Sequence, residues 1–169
     1  MDLGFEFYKE FLERFLDLLK GTFGESLVSL VLYGSVARGK AKVDSDIDLL
    51  LILDNLPDNY HRRVDQVLEV QACLKREEIY KKTRERLGIE PFLSYLILSQ
   101  EEAKENRHIY LDMVEDARIV YDRGDFFSDR LKQIKQRLRE LGSRRIWLED
   151  GTWYWDLKPD LKPGEVFTL

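Results

Sequence analysis

The stretch over 30–53 constrains this chain most, because two apolar runs enclose a glycine-containing turn and a pair of acids. The first run ends at Gly34-Ser35, and the second follows Asp46 and Asp48. We interpret the pattern as a strand, a turn, a short link and a second strand. Side chains two apart on a strand point to the same face, ~6.5–7 Å apart. Asp46 and Asp48 are therefore expected on one face of a sheet, at an open strand end.

This arrangement is typical of sites that bind magnesium and phosphate. Mg²⁺ takes one or two carboxylates plus substrate phosphates, and two such ions ~3.5–4 Å apart can stabilise the attacking and leaving oxygens of a phosphoryl group. Gly34 allows close approach of the backbone to a ligand, and N–H groups of such a turn, with the Ser35 hydroxyl, suit phosphate oxygens. Arg38 adds a cation. The alternative, a solvated turn of ordinary Asp-Ser-Asp composition, does not explain the order and spacing together.

The same residues resemble the nucleotidyltransferase superfamily that includes DNA polymerase beta. Its motif is Gly-Ser, a spacer of similar length and Asp-x-Asp, with flanks that match Tyr33, Ala37-Arg38-Gly39 and Ser45 here. The size of the chain and its N-terminal helix look most like the small prokaryotic, minimal nucleotidyltransferases. The resemblance implies a transferase that moves a nucleoside monophosphate from an NTP, with ATP expected, to an acceptor hydroxyl.

The resemblance also assigns roles to residues. Asp46 and Asp48 would hold two Mg²⁺ ions, and the nucleotide would contact the residues Gly34, Ser35, Arg38 and Ser45. Enzymes of the family place a third carboxylate on a neighbouring strand. The matching position in the predicted strand 89–98 is Ser94, which is not an acid. Glu90 lies on the same predicted face, and it is either the third catalytic and metal-binding acid or an ordinary glutamate at the rim.

Other segments complete a predicted α/β (α+β) fold that resembles the polymerase-beta-like nucleotidyltransferase core, with a small mixed sheet and helices mainly on one face. Apolar spacing predicts a helix over 5–19, mostly helical structure over 60–87, short helices over 100–116, a strand over 118–121 and a helix over 126–142. Asp125 is expected to cap the last helix. We divide the chain into a nucleotidyltransferase core, 1–125, and an appended helix and tail, 126–169.

The tail over 143–169 contains all three tryptophans of the chain. Asp150-Gly151 between two aromatic runs predicts a β-hairpin, with Trp153 and Trp155 on one face. So much aromatic surface is expected to be ordered against the 126–142 helix or against a second chain. The alternative is an exposed platform on which a base or nucleotide stacks.

Composition limits the partners of this protein. The net charge of −5 has interspersed signs, without the basic surface expected of a protein that binds duplex nucleic acid. One cysteine excludes a disulfide framework. No apolar run approaches ~18 residues and no signal peptide opens the chain, so we expect a soluble cytoplasmic protein. The 35% of charged residues is weakly typical of thermophiles.

Two functions remain open on the sequence. The first is an enzyme that uses a nucleotide substrate and an acceptor, a protein or a small molecule, that the sequence does not identify. The second is a weakly catalytic or non-catalytic interaction protein, because some small family members are antitoxins paired with a helical toxin. A homodimer is a further expectation, since the 126–142 helix carries an extended apolar stripe.

Overall fold

Four strands form a mixed sheet flanked by helices, and a separate two-stranded hairpin follows near the C-terminus. The structure is a computed structural model that describes residues 3–169. Its helices are α1 (Phe5–Phe23), α2 (Gly34–Ala37), α3 (Tyr60–Leu74), α4 (Glu78–Leu87), α5 (Gln100–Lys104), α6 (Ile109–Asp116) and α7 (Phe126–Glu140). Its strands are β1 (Leu27–Tyr33), β2 (Ile47–Leu53), β3 (Leu93–Leu98), β4 (Arg118–Asp122), β5 (Arg144–Trp147) and β6 (Trp153–Asp156).

The main sheet has the strand order β3-β2-β1-β4. β1 runs antiparallel to β2 and β4, whereas β2 and β3 are parallel. A parallel pair needs a crossover connection, and α3 and α4 provide it between β2 and β3. The predicted mixed sheet is thus confirmed.

Both faces of the two central strands are apolar, and helices cover both of them rather than mainly one. The first core contains Leu30, Leu32, Leu49 and Leu51 together with side chains of α1, α3 and α4. The second core contains Val31, Leu50 and Ile52 together with side chains of α5, α6 and α7. Continuous apolar strands of this kind are covered on both sides because neither face can be left in water.

Several element boundaries differ from the sequence-based expectations. The first helix extends beyond residue 19 to Phe23, and the 60–87 segment is two helices separated at 75–77. β3 begins at Leu93 instead of residue 89. Pro91 lies in the segment 89–92, which was predicted as strand but is outside β3. Because proline has no N–H to donate to the ladder, it favours a strand that begins after it.

The start of α7 is capped by Asp122, not by Asp125 as expected. The Asp122 carboxylate accepts hydrogen bonds from the backbone N–H groups of Phe127 at 3.0 Å and Ser128 at 2.8 Å. It also accepts a 2.6 Å bond from the Ser29 hydroxyl on β1. Asp125 instead adopts a left-handed conformation with φ of 55°. The prediction failed because two acids precede this helix and only the tertiary structure selects between them.

The predicted hairpin is present and packs on the rest of the chain. β5 and β6 pair antiparallel, with Trp147 opposite Trp153 and Arg145 opposite Trp155. Trp155 and the following Leu157 pack against the second core. The boundary proposed at residue 125 stays a prediction. Within residues 3–169, no helix combines the length and the hydropathy needed to cross a membrane.

Candidate active site

The two motif aspartates lie where β2 begins, in the middle of the sheet. Asp48 is the second residue of β2, paired with Tyr33 on β1 and with Ser94 on β3. Asp46 precedes the strand and is exposed, whereas Asp48 is partly buried. Because side chains alternate along a strand, Asp48 shares its face with Leu50, and the site is therefore the open end of the second core.

The glycine of the turn contacts Asp48 directly. Gly34 follows β1 without a linker and has a φ of 72°. A Cβ atom placed on Gly34 would lie 2.1 Å from Asp48 Oδ2. Only glycine fits at this position, since a side chain would meet both the carboxylate and the left-handed backbone. The structure thus brings the predicted Gly34-Ser35 turn against the predicted acid.

The electrostatics around Asp48 favour a cation. Burial raises the pKa of the Asp48 carboxyl and the neighbouring charge of Asp46 raises it further, while hydrogen bonding by the Ser94 side chain and the charge of Arg38 lower it. Burial, with the nearby Asp48 carboxylate and Tyr60, raises the pKa of Tyr33 to about 12. Negative charge is therefore concentrated and partly desolvated here, which a bound divalent ion would relieve.

Ser45 closes the link that leads into β2. Its side-chain oxygen accepts a 2.8 Å hydrogen bond from the Lys42 backbone N–H, and its own N–H donates to the Lys42 carbonyl at 3.1 Å. The residue therefore shapes the turn immediately before Asp46. Its predicted contact with a nucleotide stays a prediction, as do those of Ser35 and Arg38.

Glu90, the candidate third carboxylate, is not brought to Asp46 and Asp48. It lies before β3, where the strand alternation used to predict its direction does not apply. Its carboxylate accepts hydrogen bonds from the Tyr80 hydroxyl at 2.7 Å and from Arg84 at 3.2 Å, and these bonds lower its pKa. Across residues 3–169, no three His, Cys, Asp or Glu side chains gather as a metal-binding group. Ser94 occupies the facing position instead.

A small cavity of about 230 Å³ adjoins the turn and was not predicted. Its lining residues are Tyr33, Gly34, Arg38, Ile109, Asp112, Met113, Asp116 and Trp153. Asp112 and Asp116 are one helical turn apart on α6, a spacing that places them on the same face of the helix. The sequence alone could have indicated this acidic face, but not which part of the chain packs against it. Arg38 lies over the Trp153 ring, with its guanidinium carbon 4.7 Å from the ring centroid.

The residues present fit magnesium. Asp46 and Asp48 supply the one or two carboxylates that Mg²⁺ usually takes from a protein, leaving its other positions for water and phosphate oxygens. Both acids belong to one short segment at the sheet's open end. The other two acids near the turn already have protein partners. Asp112 accepts hydrogen bonds from the indoles of Trp153 and Trp155, and Asp116 pairs with Arg145.

Comparison with known proteins gives a family. The sequence model of the nucleotidyltransferase domain matches residues 9–141. A relative from Methanocaldococcus jannaschii, named "Putative protein adenylyltransferase MJ1305", is 34% identical over 132 residues, which are 77% of this chain and 82% of the relative.

Solved structures show only distant similarity. A toxin–antitoxin complex with AMP-PNP matches at 15% identity with a TM-score of 0.42, covering 77% of this chain and 91% of that chain. A chain of a complex between a tri-AMPylated Shewanella oneidensis HEPN toxin and an MNT antitoxin matches at 13% identity with a TM-score of 0.36, covering 77% and 88%. The assignment therefore rests on the two sequence matches. On these, and as its Gly-Ser and Asp-x-Asp motifs predicted, the chain belongs to the nucleotidyltransferase domain family.

Proposed function

We propose that this protein is an Mg²⁺-dependent nucleotidyltransferase that moves the AMP group of ATP to a hydroxyl of an acceptor protein. The observation that carries the proposal is the contact between Gly34 and Asp48, which joins a phosphate-binding turn to a carboxylate at an open strand end. ATP and a protein acceptor are supported by the name of the relative that is 34% identical over 132 residues.

Each residue of the site has a distinct task in this proposal. Asp46 and Asp48 would hold two Mg²⁺ ions, which when bound neutralise charge on the phosphates and polarise the reacting oxygens. The N–H groups of the turn and the Ser35 hydroxyl bind the β and γ phosphates. Arg38 adds positive charge on the side of the turn facing the cavity. Together these residues fix the α-phosphorus relative to the acceptor, so catalysis comes mainly from positioning and electrostatics.

The transfer is a single substitution at phosphorus. The acceptor oxygen forms a bond to the α-phosphorus, the bond from that phosphorus to the bridging oxygen breaks, and pyrophosphate leaves with the electron pair. The acceptor proton passes to solvent water, because Ser94 cannot act as a carboxylate base.

Labelled ATP tests the reaction directly. Purified protein is incubated with Mg²⁺, candidate acceptor proteins and ATP labelled either at the α or at the γ phosphate. We expect covalent label on protein from α-labelled ATP only, since γ label leaves with pyrophosphate. Transfer of γ label would identify a kinase, and would contradict the proposal.

The matched variants locate the site. Asp46→Asn and Asp48→Asn are each expected to abolish Mg²⁺-dependent ATP binding in calorimetry while retaining the fold. Glu90→Gln is the control, because it removes the same charge from a carboxylate that the structure places with Tyr80 and Arg84. Equal ATP binding by wild type and the two aspartate variants would remove the site assignment.

A second candidate, a weakly catalytic or non-catalytic protein that binds a partner such as a toxin, is favoured by Ser94. The parallel register puts this serine opposite Asp48, where a third carboxylate would face the pair. ATP binding without transfer, together with a stable partner complex, would support this candidate. Ser94→Asp separates the two, because it supplies the acid in place. A marked gain in transfer would show that the wild-type site lacks only this group.

A further inference from the structure

The C-terminal hairpin reaches the candidate nucleotide site although it lies outside the family match, which ends at residue 141. Trp153 is its point of contact: it lines the small cavity together with Gly34 and Arg38. The Arg38 guanidinium lies over the Trp153 ring at 4.7 Å. This distance is within the ~6 Å over which an aromatic face attracts a cation.

Hydrogen bonds fix the orientation of Trp153. Its indole N–H donates to Asp112 Oδ1 at 2.7 Å, and the Trp155 indole donates to the same oxygen at 3.0 Å. Both tryptophans project from one face of β6, so one carboxylate on α6 holds the pair. A charged acceptor makes these bonds stronger than neutral ones.

An ion pair fastens the other strand of the hairpin to α6. Arg145 donates to the two Asp116 oxygens at 2.7 and 3.4 Å, and the two side chains are only 16% and 17% exposed. The guanidinium of Arg145 also lies 5.4 Å from the Trp153 centroid. Two arginines therefore lie near the Trp153 ring, one from its own hairpin and one from the turn region.

We propose that Trp153 is a positioning residue of the nucleotide site, which holds the Arg38 guanidinium beside the Gly34 turn so that it can contact the bound triphosphate. The inference rests on the proposed function, because it concerns how that site binds ATP. Arginine has a long side chain whose ordering opposes binding through lost rotamer freedom. A fixed aromatic face orders it in advance, which lowers the cost of binding the ligand.

The direction of the effect follows from charge. In its position over Trp153, Arg38 lines the same cavity as Gly34, whose backbone contacts Asp48. The ring therefore holds the cation within electrostatic reach of the site rather than withdrawn from it. If Trp153 instead sequestered Arg38, removal of the ring would strengthen ATP binding.

Calorimetric titration with MgATP at fixed ionic strength tests the inference. Trp153→Leu is expected to weaken binding about 3- to 10-fold, the range of a partly desolvated cation–π contact. Trp153→Phe keeps an aromatic face but loses the hydrogen bond to Asp112, so its affinity is expected between those of wild type and Trp153→Leu. Tyr154→Leu is the matched control, because this neighbouring ring is 53% exposed and points to the opposite face of the strand. It should bind as wild type does.

A double-mutant cycle separates positioning from general damage. If Trp153 acts through Arg38, then Trp153→Leu has no further effect on MgATP affinity in an Arg38→Ala background. Fully additive losses would show that Trp153 acts independently of Arg38 and would overturn the inference. Unchanged or tighter binding by Trp153→Leu alone would overturn it as well.

A second measurement, on the ligand-free protein, does not depend on ATP. Nitrogen NMR of the Arg38 Nε–H group should show an ordered side chain in wild type and in Tyr154→Leu, and a mobile one in Trp153→Leu. Equal mobility in all three proteins would refute positioning by Trp153. If wild type failed to bind MgATP while Trp153 still ordered Arg38, the proposed function would be wrong. The role of Trp153 in triphosphate binding would be wrong with it, but the ordering of Arg38 by Trp153 would stand.

Discussion

Gly34→Ala tests the central feature of the site with a single methyl group. The added Cβ would lie 2.1 Å from Asp48 Oδ2 and 3.0 Å from its Cγ. Neither atom can remain where it is, since non-bonded heavy atoms prefer ~3.5–4.0 Å. Asp48 must therefore rotate or shift, and the carboxylate leaves the position in which it faces the Gly34-Ser35 turn.

The magnitude has two parts. A left-handed conformation costs a residue with a Cβ ~1–2 kcal/mol, and Gly34 has a φ of 72°. Displacing Asp48 from its rotamer adds ~0.5–1.5 kcal/mol. We therefore expect a loss of ~1.5–3.5 kcal/mol in the free energy of unfolding, which corresponds to roughly 3–14 °C in Tm for a chain of this size. MgATP affinity should fall by at least about tenfold, because the carboxylate that we propose as a ligand of the metal is displaced.

Gly88→Ala is the matched control for backbone strain. Gly88 ends α4 with a φ of 78°, and nothing lies within 4 Å of a Cβ placed on it. The control should lose only the ~1–2 kcal/mol of the left-handed conformation and should bind MgATP normally. Thermal unfolding and calorimetry of both variants measure the two quantities. Normal MgATP binding by Gly34→Ala would refute the argument that Gly34 and Asp48 form one site.

Three further predictions concern pH and the tail. Asp48→Asn should raise the Tm of the ligand-free protein near pH 7, and thermal melts should show this gain vanishing below pH ~3.9, because the raised pKa of Asp48 means that its charge costs stability only where it is ionised. Ser94→Ala should move the acid limit of MgATP binding to higher pH in titrations, because a hydrogen bond that lowers the pKa of Asp48 is lost. Deleting 143–169 should lower Tm or cause aggregation in light scattering, because Trp155 and Leu157 are partly buried against the second core and full burial of such a side chain contributes ~1.5–3 kcal/mol; equal stability of the truncated protein would contradict this packing.

The placement of the candidate site residues could be predicted from sequence where local rules determine it. A glycine between an apolar run and a polar link marks a turn, and alternation along β2 places Asp48 on the face of Leu50. Both rules act over a few residues, and the alternation rule holds at Asp48 because this residue lies within the ladders of β2 with β1 and β3. The mixed sheet was predicted with the resemblance to the nucleotidyltransferase superfamily and not from a local rule.

Glu90 shows where these rules end. Its predicted direction depended on extending β3 back to residue 89, but the ladder with β2 begins at Leu93. Outside a ladder, a side chain follows its local partners, which for Glu90 are Tyr80 and Arg84. The contact of Trp153 with Arg38 was equally beyond local rules, since it joins residues more than a hundred positions apart through α6. The hairpin itself was predictable from Asp150-Gly151, but its docking partner was not.

The burial that makes the charge of Asp48 unfavourable also suits this residue to the metal-binding role that we propose for it. Asp48 lies on the same face of β2 as Leu50, and its carboxylate is partly removed from water. Its charge is therefore unfavourable in the ligand-free protein and favourable beside a cation. The change in Tm caused by Asp48→Asn should therefore have opposite signs in two melts. Without ligand, the variant is the more stable protein. With saturating MgATP, wild type is the more stable one, since ligand that binds only the folded state adds stability. If Asp48→Asn also raised the Tm in saturating MgATP, Asp48 would be a buried acid of the core and not a ligand of the metal.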